Sequence, residues 1–286
     1  MSKTVIKRKK TLNQIQGNDS DTQDNIVVMS DIDSEIDAAE HDVNFKIQSF
    51  QCTPLRELSD FLNSPKMINK PGDPSTNIIN RMDGKCHNIP DKLIPKFFKQ
   101  LEACRLAKIR LMMNERQQPS SGIMLDFDIY QNMEESQLTD ELFNILSQKV
   151  VSLIMKILVI HDTKITITIG ITRRPKITYS DDKECYKDGF HMLIPGVKVS
   201  KGVKKLLINK LIEMELIDQI FTEVEPASIK IGNRPYERND FLDINSAHVP
   251  IFFIGSSTKK GHSPYVLTHV FDVIATVGTD NFVVKN

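Results

Sequence analysis

The chain has no run of eighteen or more apolar residues, which excludes a transmembrane helix. Its opening Met-Ser-Lys-Thr lacks the apolar stretch of a secretory signal, so export is not expected. Cysteine is scarce. Cys52, Cys86, Cys104 and Cys185 form no Cys-x-x-Cys pair, which argues against a zinc ribbon or a disulfide scaffold and for a reducing compartment. Net charge is also missing, since 37 basic side chains balance 37 acidic ones. That neutrality hides a split: residues 1–45 hold five basic and nine acidic residues, a net of −4, and the remainder carries +4. No internal repeat is evident. What is present, in 286 residues that are 40% apolar, is enough for one large domain or about two ordinary ones.

The first 48 residues read as a tail. Lys7, Arg8, Lys9 and Lys10 form a basic cluster, either a solvated end or a nuclear-targeting or nucleic-acid-touching patch. The stretch from Asp19 to Asp42 is acidic and poor in aromatics, a composition that buries too little apolar surface to offset the entropy of ordering. Asp31-Ile-Asp33 mimics a metal motif, but no strand-like apolar neighbours would hold it rigid.

Pattern begins near residue 50. A short helix is predicted over 53–63, followed by a loop from Pro65 to Gly84. Leu93, Phe97, Leu101, Cys104 and Leu111 share a helical face over 91–113, whose other side carries Lys92, Lys96, Lys99, Arg105 and Lys108. Ile123, Leu125, Phe127 and Ile129 alternate with Met124, Asp126, Asp128 and Tyr130, the period of a strand. Thr139, followed by Asp140 and Glu141, caps a helix to about Leu158. Strands are predicted at 164–171, at 188–194 closed by Pro195-Gly196, at 249–254 and at 265–273. Ser200 caps a long helix to about Phe221. Interleaved strands and helices with several antiparallel hairpins indicate an α+β fold.

Three features bear on chemistry. Asp126 and Asp128, two apart on a strand, face one way about 7 Å apart. Such carboxylates suit magnesium or manganese, and equally a solvent-facing edge strand. Gly189-Phe-His191 puts a histidine opposite the apolar face of its strand, where it can meet a phosphate or serve as an ordinary satisfied polar group. Asp243 precedes a strand that runs into Gly255-Ser-Ser-Thr-Lys259, a turn able to cradle phosphate or simply to face solvent.

In this order the three resemble the archaeo-eukaryotic primase superfamily, most closely the N-terminal primase domain of the primase–helicases of nucleocytoplasmic large DNA viruses, African swine fever virus type. The stretches that carry the likeness are Thr76–Arg81, Ser121–Asp128, Gly189–Gly196, Ser246–Pro250 leading to Gly255-Ser-Ser257, and Pro264–Leu267, spread over roughly residues 50–275. The resemblance implies a catalytic core with a sheet like that of an RNA-recognition motif and flanking helices, packed on a smaller α/β unit. On this reading residues 49–120 form the smaller unit, 121–278 the core and 279–286 a C-terminal end.

It implies Asp126, Asp128 and Asp243 as catalytic ligands of two divalent ions, magnesium or manganese. His191, Ser256, Ser257 and Lys259 would bind the nucleotide. Thr258 separates the serines from the lysine, so Lys259 and Lys260 compete for that role, and Asp240 competes with Asp243 as the third carboxylate. The implied activity is a DNA primase or primase-polymerase using nucleoside triphosphates on single-stranded DNA. The alternative is an inactive, strand-binding accessory subunit. A different Asp-x-Asp enzyme, a nuclease or sugar transferase, leaves His191 and the Gly-Ser-Ser-x-Lys turn without a role. No Walker-type Gly-x-x-x-x-Gly-Lys-Ser/Thr is present, so helicase action would need a separate chain. The expected location is intracellular, in a cytoplasmic viral factory or the nucleus, without membrane attachment.

Overall fold

The computed structural model describes residues 53–81, 83–109, 111–252, 254–255, 263–279 and 281–285. The tail, with Lys7 to Lys10, and the turn residues Ser256, Ser257, Lys259 and Lys260 lie outside them.

The chain opens with helix α1 (Thr53–Leu62), then short strands β1 (Ile68–Asn69), β2 (Ile78–Asn80) and β3 (Cys86–His87). Helix α2 (Ile94–Leu106) and strand β4 (Met113–Glu115) complete this region. The sequence predicts a loop at 65–84 and one helix over 91–113, and both expectations are corrected. Strands of two or three residues are too short to display a period. The helix ends at Leu106 because Lys108 takes a left-handed backbone, φ 58°. Leu111, placed on the helical face by its spacing, belongs instead to the extended chain entering β4.

Strand β5 (Ser120–Gln131) leads to α3 (Asp140–Ile157), β6 (Lys164–Arg173), β7 (Thr178–Ser180) and β8 (Cys185–Ser200). Helices α4 (Lys201–Glu213) and α5 (Leu216–Ile220) follow, then β9 (Lys230–Ile231), β10 (Arg234–Pro235) and β11 (Ile251–Phe252), and finally β12 (Val266–Thr276) and β13 (Phe282–Lys285). Both predicted caps form: the side chains of Thr139 and Ser200 accept from the backbone amides of Leu142 and Val203. The expected helix to Phe221 is broken at Glu215, φ 53°. Strand β8 also runs through Pro195-Gly196 rather than ending there, because β5 and β8 slip register between Ser121 and Ile123 and the extra residues bulge out.

Every strand pair is antiparallel among the described residues, which makes the fold α+β. One sheet has the order β1-β3-β2-β4-β11. The larger has the order β13-β12-β6-β8-β5, with β7 beside β8. Two apolar clusters divide the interior. The smaller gathers Leu58, Phe61, Phe97 and Met113, and the larger packs one face of the large sheet under α3, α4 and α5. At its centre Phe127 and Phe190, fully buried, stack with ring centroids 4.4 Å apart. Burying each ring contributes about 1.5–3 kcal/mol. The alternation that buries Phe127 and Phe190 turns Asp126, Asp128 and His191 to the opposite face. No described helix is long and apolar enough to cross a membrane.

A buried lysine ties the two regions together. Lys204, on α4 and 2% exposed, donates to Gln117 Oε1 (2.5 Å) and Ser121 Oγ (2.7 Å). Burial pushes its pKa down to about 8, against a pull upward from Glu115. Because that lies below the unfolded value near 10.4, the unfolded chain binds more protons between about pH 8 and 10.5. The residue's contribution to stability therefore rises with pH across that window, by at most about 1.4 kcal/mol per unit. Urea unfolding at stepped pH should show this rise in the native chain and lose it in Lys204→Met.

Candidate active site

The site is built on the open face of β5 and β8. Asp126 pairs directly with His191 across the ladder, and Asp128 pairs with Gly189. The His191 Nε2 atom lies 3.3 Å from Asp126 Oδ1. The contact lacks hydrogen-bond geometry, so Asp126 Oδ1 is a buried acceptor with no hydrogen bond. Asp128 Oδ1 is met by Lys187 Nζ at 2.7 Å. Lys187 also lies over the Tyr130 ring, 5.3 Å from its centroid, with Lys183 at 4.7 Å.

Asp243 arrives from elsewhere in the chain. An antiparallel bridge joins Leu242 to Phe127, and the Asp243 amide donates to the Asp126 carbonyl at 2.8 Å. Its backbone thus lies alongside Asp126, while its Oδ1 caps the next turn, accepting from the amide (2.8 Å) and side chain (3.1 Å) of Asn245. The same edge of β5 is closed by the Tyr236 hydroxyl, which donates to the Asp128 carbonyl at 2.8 Å. Asp240, the competitor for the third position, is engaged differently. It forms a two-pronged pair with Arg234, which holds its carboxyl below the usual range.

His191 is clamped. Its ring stacks on Tyr265 at 3.9 Å between centroids, both residues being 4% exposed, and the Arg174 guanidinium lies 5.0 Å from the other ring's centroid. Burial pushes the Tyr265 phenol up; Arg174 opposes this, while Asp126, Asp128 and Asp188 add to it, so the ring stays neutral. The Tyr265 carbonyl accepts from the Gly255 amide at 2.8 Å, so Gly255 lies beside the residue that stacks on His191.

The structure therefore brings Asp126, Asp128, His191 and the Asp243 backbone together; Ser256, Ser257 and Lys259 fall in the undescribed segment. Among the described residues, no three His, Cys, Asp or Glu side chains converge closely enough to hold an ion as they stand. The donor chemistry nonetheless fits a hard divalent ion, since Asp126 offers an unbonded carboxylate oxygen beside a second carboxylate on the same strand face. Sequence reasoning missed Lys187, although strand alternation puts it on one face with Gly189 and His191. It also assigned no role to Tyr265, whose place on His191 is set by β12 and has no local signal.

Comparison with known proteins gives the family. The family model described as the C962R protein N-terminal AEP domain matches residues 76–271. A protein named "Putative primase C962R" from the Warthog/Namibia isolate of African swine fever virus is 30% identical over 230 residues, 80% of this chain and 22% of its own. Its counterpart from the Tick/Malawi isolate is 30% identical over 233 residues. The chain thus spans about a fifth of the length of the curated relatives it matches. With a match over more than half its length, the chain belongs to the family of the C962R N-terminal archaeo-eukaryotic primase domain.

Proposed function

We propose that the chain is the catalytic domain of a DNA primase or primase-polymerase, a nucleotidyltransferase that joins nucleoside triphosphates on a single-stranded DNA template. The observation that carries this reading is the pair Asp126 and Asp128 on the β5 face opposite His191, with a carboxylate oxygen buried and unbonded, in a chain of this family.

On this reading Asp126, Asp128 and Asp243 hold two divalent ions. Magnesium or manganese, when bound, supplies Lewis-acid activation of the primer 3′-hydroxyl and neutralises the departing pyrophosphate. The chain's own groups position and neutralise. His191, stacked on Tyr265, meets the nucleotide phosphates, and Ser256, Ser257 and Lys259 are further nucleotide-binding residues. Lys187 balances the charge of Asp128. Residues 121–278, with β13 added at the edge of the large sheet, are read as a core like an RNA-recognition motif, and residues 49–120 as the smaller unit. A cytoplasmic viral factory or the nucleus is the expected location.

One observation favours an inactive strand-binding subunit instead: Asp243 Oδ1 is engaged in its own turn, and no three-residue ion cage stands ready. Primer synthesis on single-stranded DNA, with labelled nucleotides and either ion, separates the two readings. Metal-dependent oligomers are the expected result. Salt-sensitive strand binding without product would leave the accessory role.

A further inference from the structure

A cleft of about 420 Å³ opens between α2 and the near ends of β5 and β8. Its floor includes Gly122 and Leu193, on the strand face that carries the carboxylates. Leu193 lies two residues from His191 and Gly122 four from Asp126, about 7 and 13 Å along the strands. Phe98 stands in the cleft wall, 49% exposed, although its neighbour Phe97 is fully buried. The two rings are 5.7 Å apart, so the exposed ring is braced from behind. Lys198 lines the opposite wall, in the bulge of β8.

We propose that this cleft holds a nucleobase of the single-stranded DNA template, stacked on Phe98, with Lys198 against the strand's phosphates. The inference rests on the primase reading and adds a strand path to it. Three features of the cleft support this occupant. It continues the carboxylate face, along which a strand copied at Asp126 must lead away. It pairs an aromatic surface with a cation, the two elements that hold single strands. Its acidic members weigh little against phosphate: burial pushes Glu115 toward its neutral form, against the pull of Lys204 and Lys198, which leaves Asp91 as the exposed carboxylate.

The two amide side chains that line the cleft already donate to backbone carbonyls. Asn77 exchanges bonds of 2.7 and 2.8 Å with the backbone of Ile89, and the Gln118 amide donates to the carbonyls of Thr76 and Arg116. Base edges would find no free amide from these two residues, so binding is by stacking and charge and tolerates sequence.

The test is fluorescence anisotropy of end-labelled oligo-dT and oligo-dA with the full chain, beside titration of a nucleoside triphosphate with manganese. The variants are Phe98→Ala, Phe98→Tyr and Lys198→Glu. Phe98→Ala should weaken strand binding about tenfold for both oligomers, and Phe98→Tyr should restore it to within about twofold. Lys198→Glu should weaken binding and lower the salt slope by about one. Nucleotide binding should hold throughout. Unchanged strand affinity in Phe98→Ala would overturn the proposal and give the cleft to another occupant, an apolar peptide foremost. Equal loss of nucleotide binding would overturn it as general damage. A native chain that makes primers while Phe98→Ala binds normally sinks only this inference; a native chain that binds no strand sinks the primase reading too.

Discussion

Asp126→Asn and Asp128→Asn should each cut primer synthesis by about 10²–10³-fold or more while leaving the melting temperature almost unmoved. Both changes remove a charge and keep the shape. Asp126 Oδ1 makes no hydrogen bond, so none is lost there when it becomes an amide. Asp128 gives up its pair with Lys187, but its side chain is 35% exposed, and a pair that exposed is worth less than about 1 kcal/mol. On the proposed reading the chemistry depends on those charges, because ions that neutralise a triphosphate need anionic ligands. Asp243→Asn completes the series. Asparagine caps a turn as well as aspartate does, so the turn at Ile244–Ala247 should persist while activity falls. Primer assays beside thermal melts check all three. Full activity in any of them would remove that residue from the ion site.

Gly189→Ala should do the reverse, damaging the fold and the site together. Gly189 sits opposite Asp128 with φ +155°, a conformation side chains rarely adopt. A methyl group there would meet the Phe127 carbonyl oxygen at 2.3 Å, and that oxygen belongs to backbone that cannot swing aside. Relief requires β5 and β8 to part between Asp126 and Asp128. The expected cost is about 3 kcal/mol or more, with primer synthesis lost at the same time. Chemical denaturation would measure the first effect and a primer-synthesis assay the second. A native-like midpoint would mean the ladder is looser at this point than its register indicates.

Much of this site was legible in the sequence because strand alternation is a local signal. Asp126, Asp128 and His191 were assigned to the open faces of their strands from period two alone, and the β5–β8 ladder sets Asp126 opposite His191. The caps at Thr139 and Ser200 were equally local. Short strands were not legible: β1, β2 and β3, of two or three residues each, are too short to show a period and are fixed by pairing with one another and with β4. Nor were the irregularities at Lys108 and Glu215, where non-glycine residues in left-handed backbone end helices that periodicity would continue.

What the sequence by itself determined is which residues face which way along each long element, since apolar side chains must leave water and the strand repeat is two. Only the tertiary structure decided what those residues meet. Tyr265 reaches His191 because β12 pairs with β6, and β6 with β8, and Asp243 reaches Asp126 through a single bridge at Phe127. Such contacts join residues 70 to more than 100 positions apart. Pairing across that span is set by the packing of the whole sheet on its helices, and no local pattern of residues encodes it.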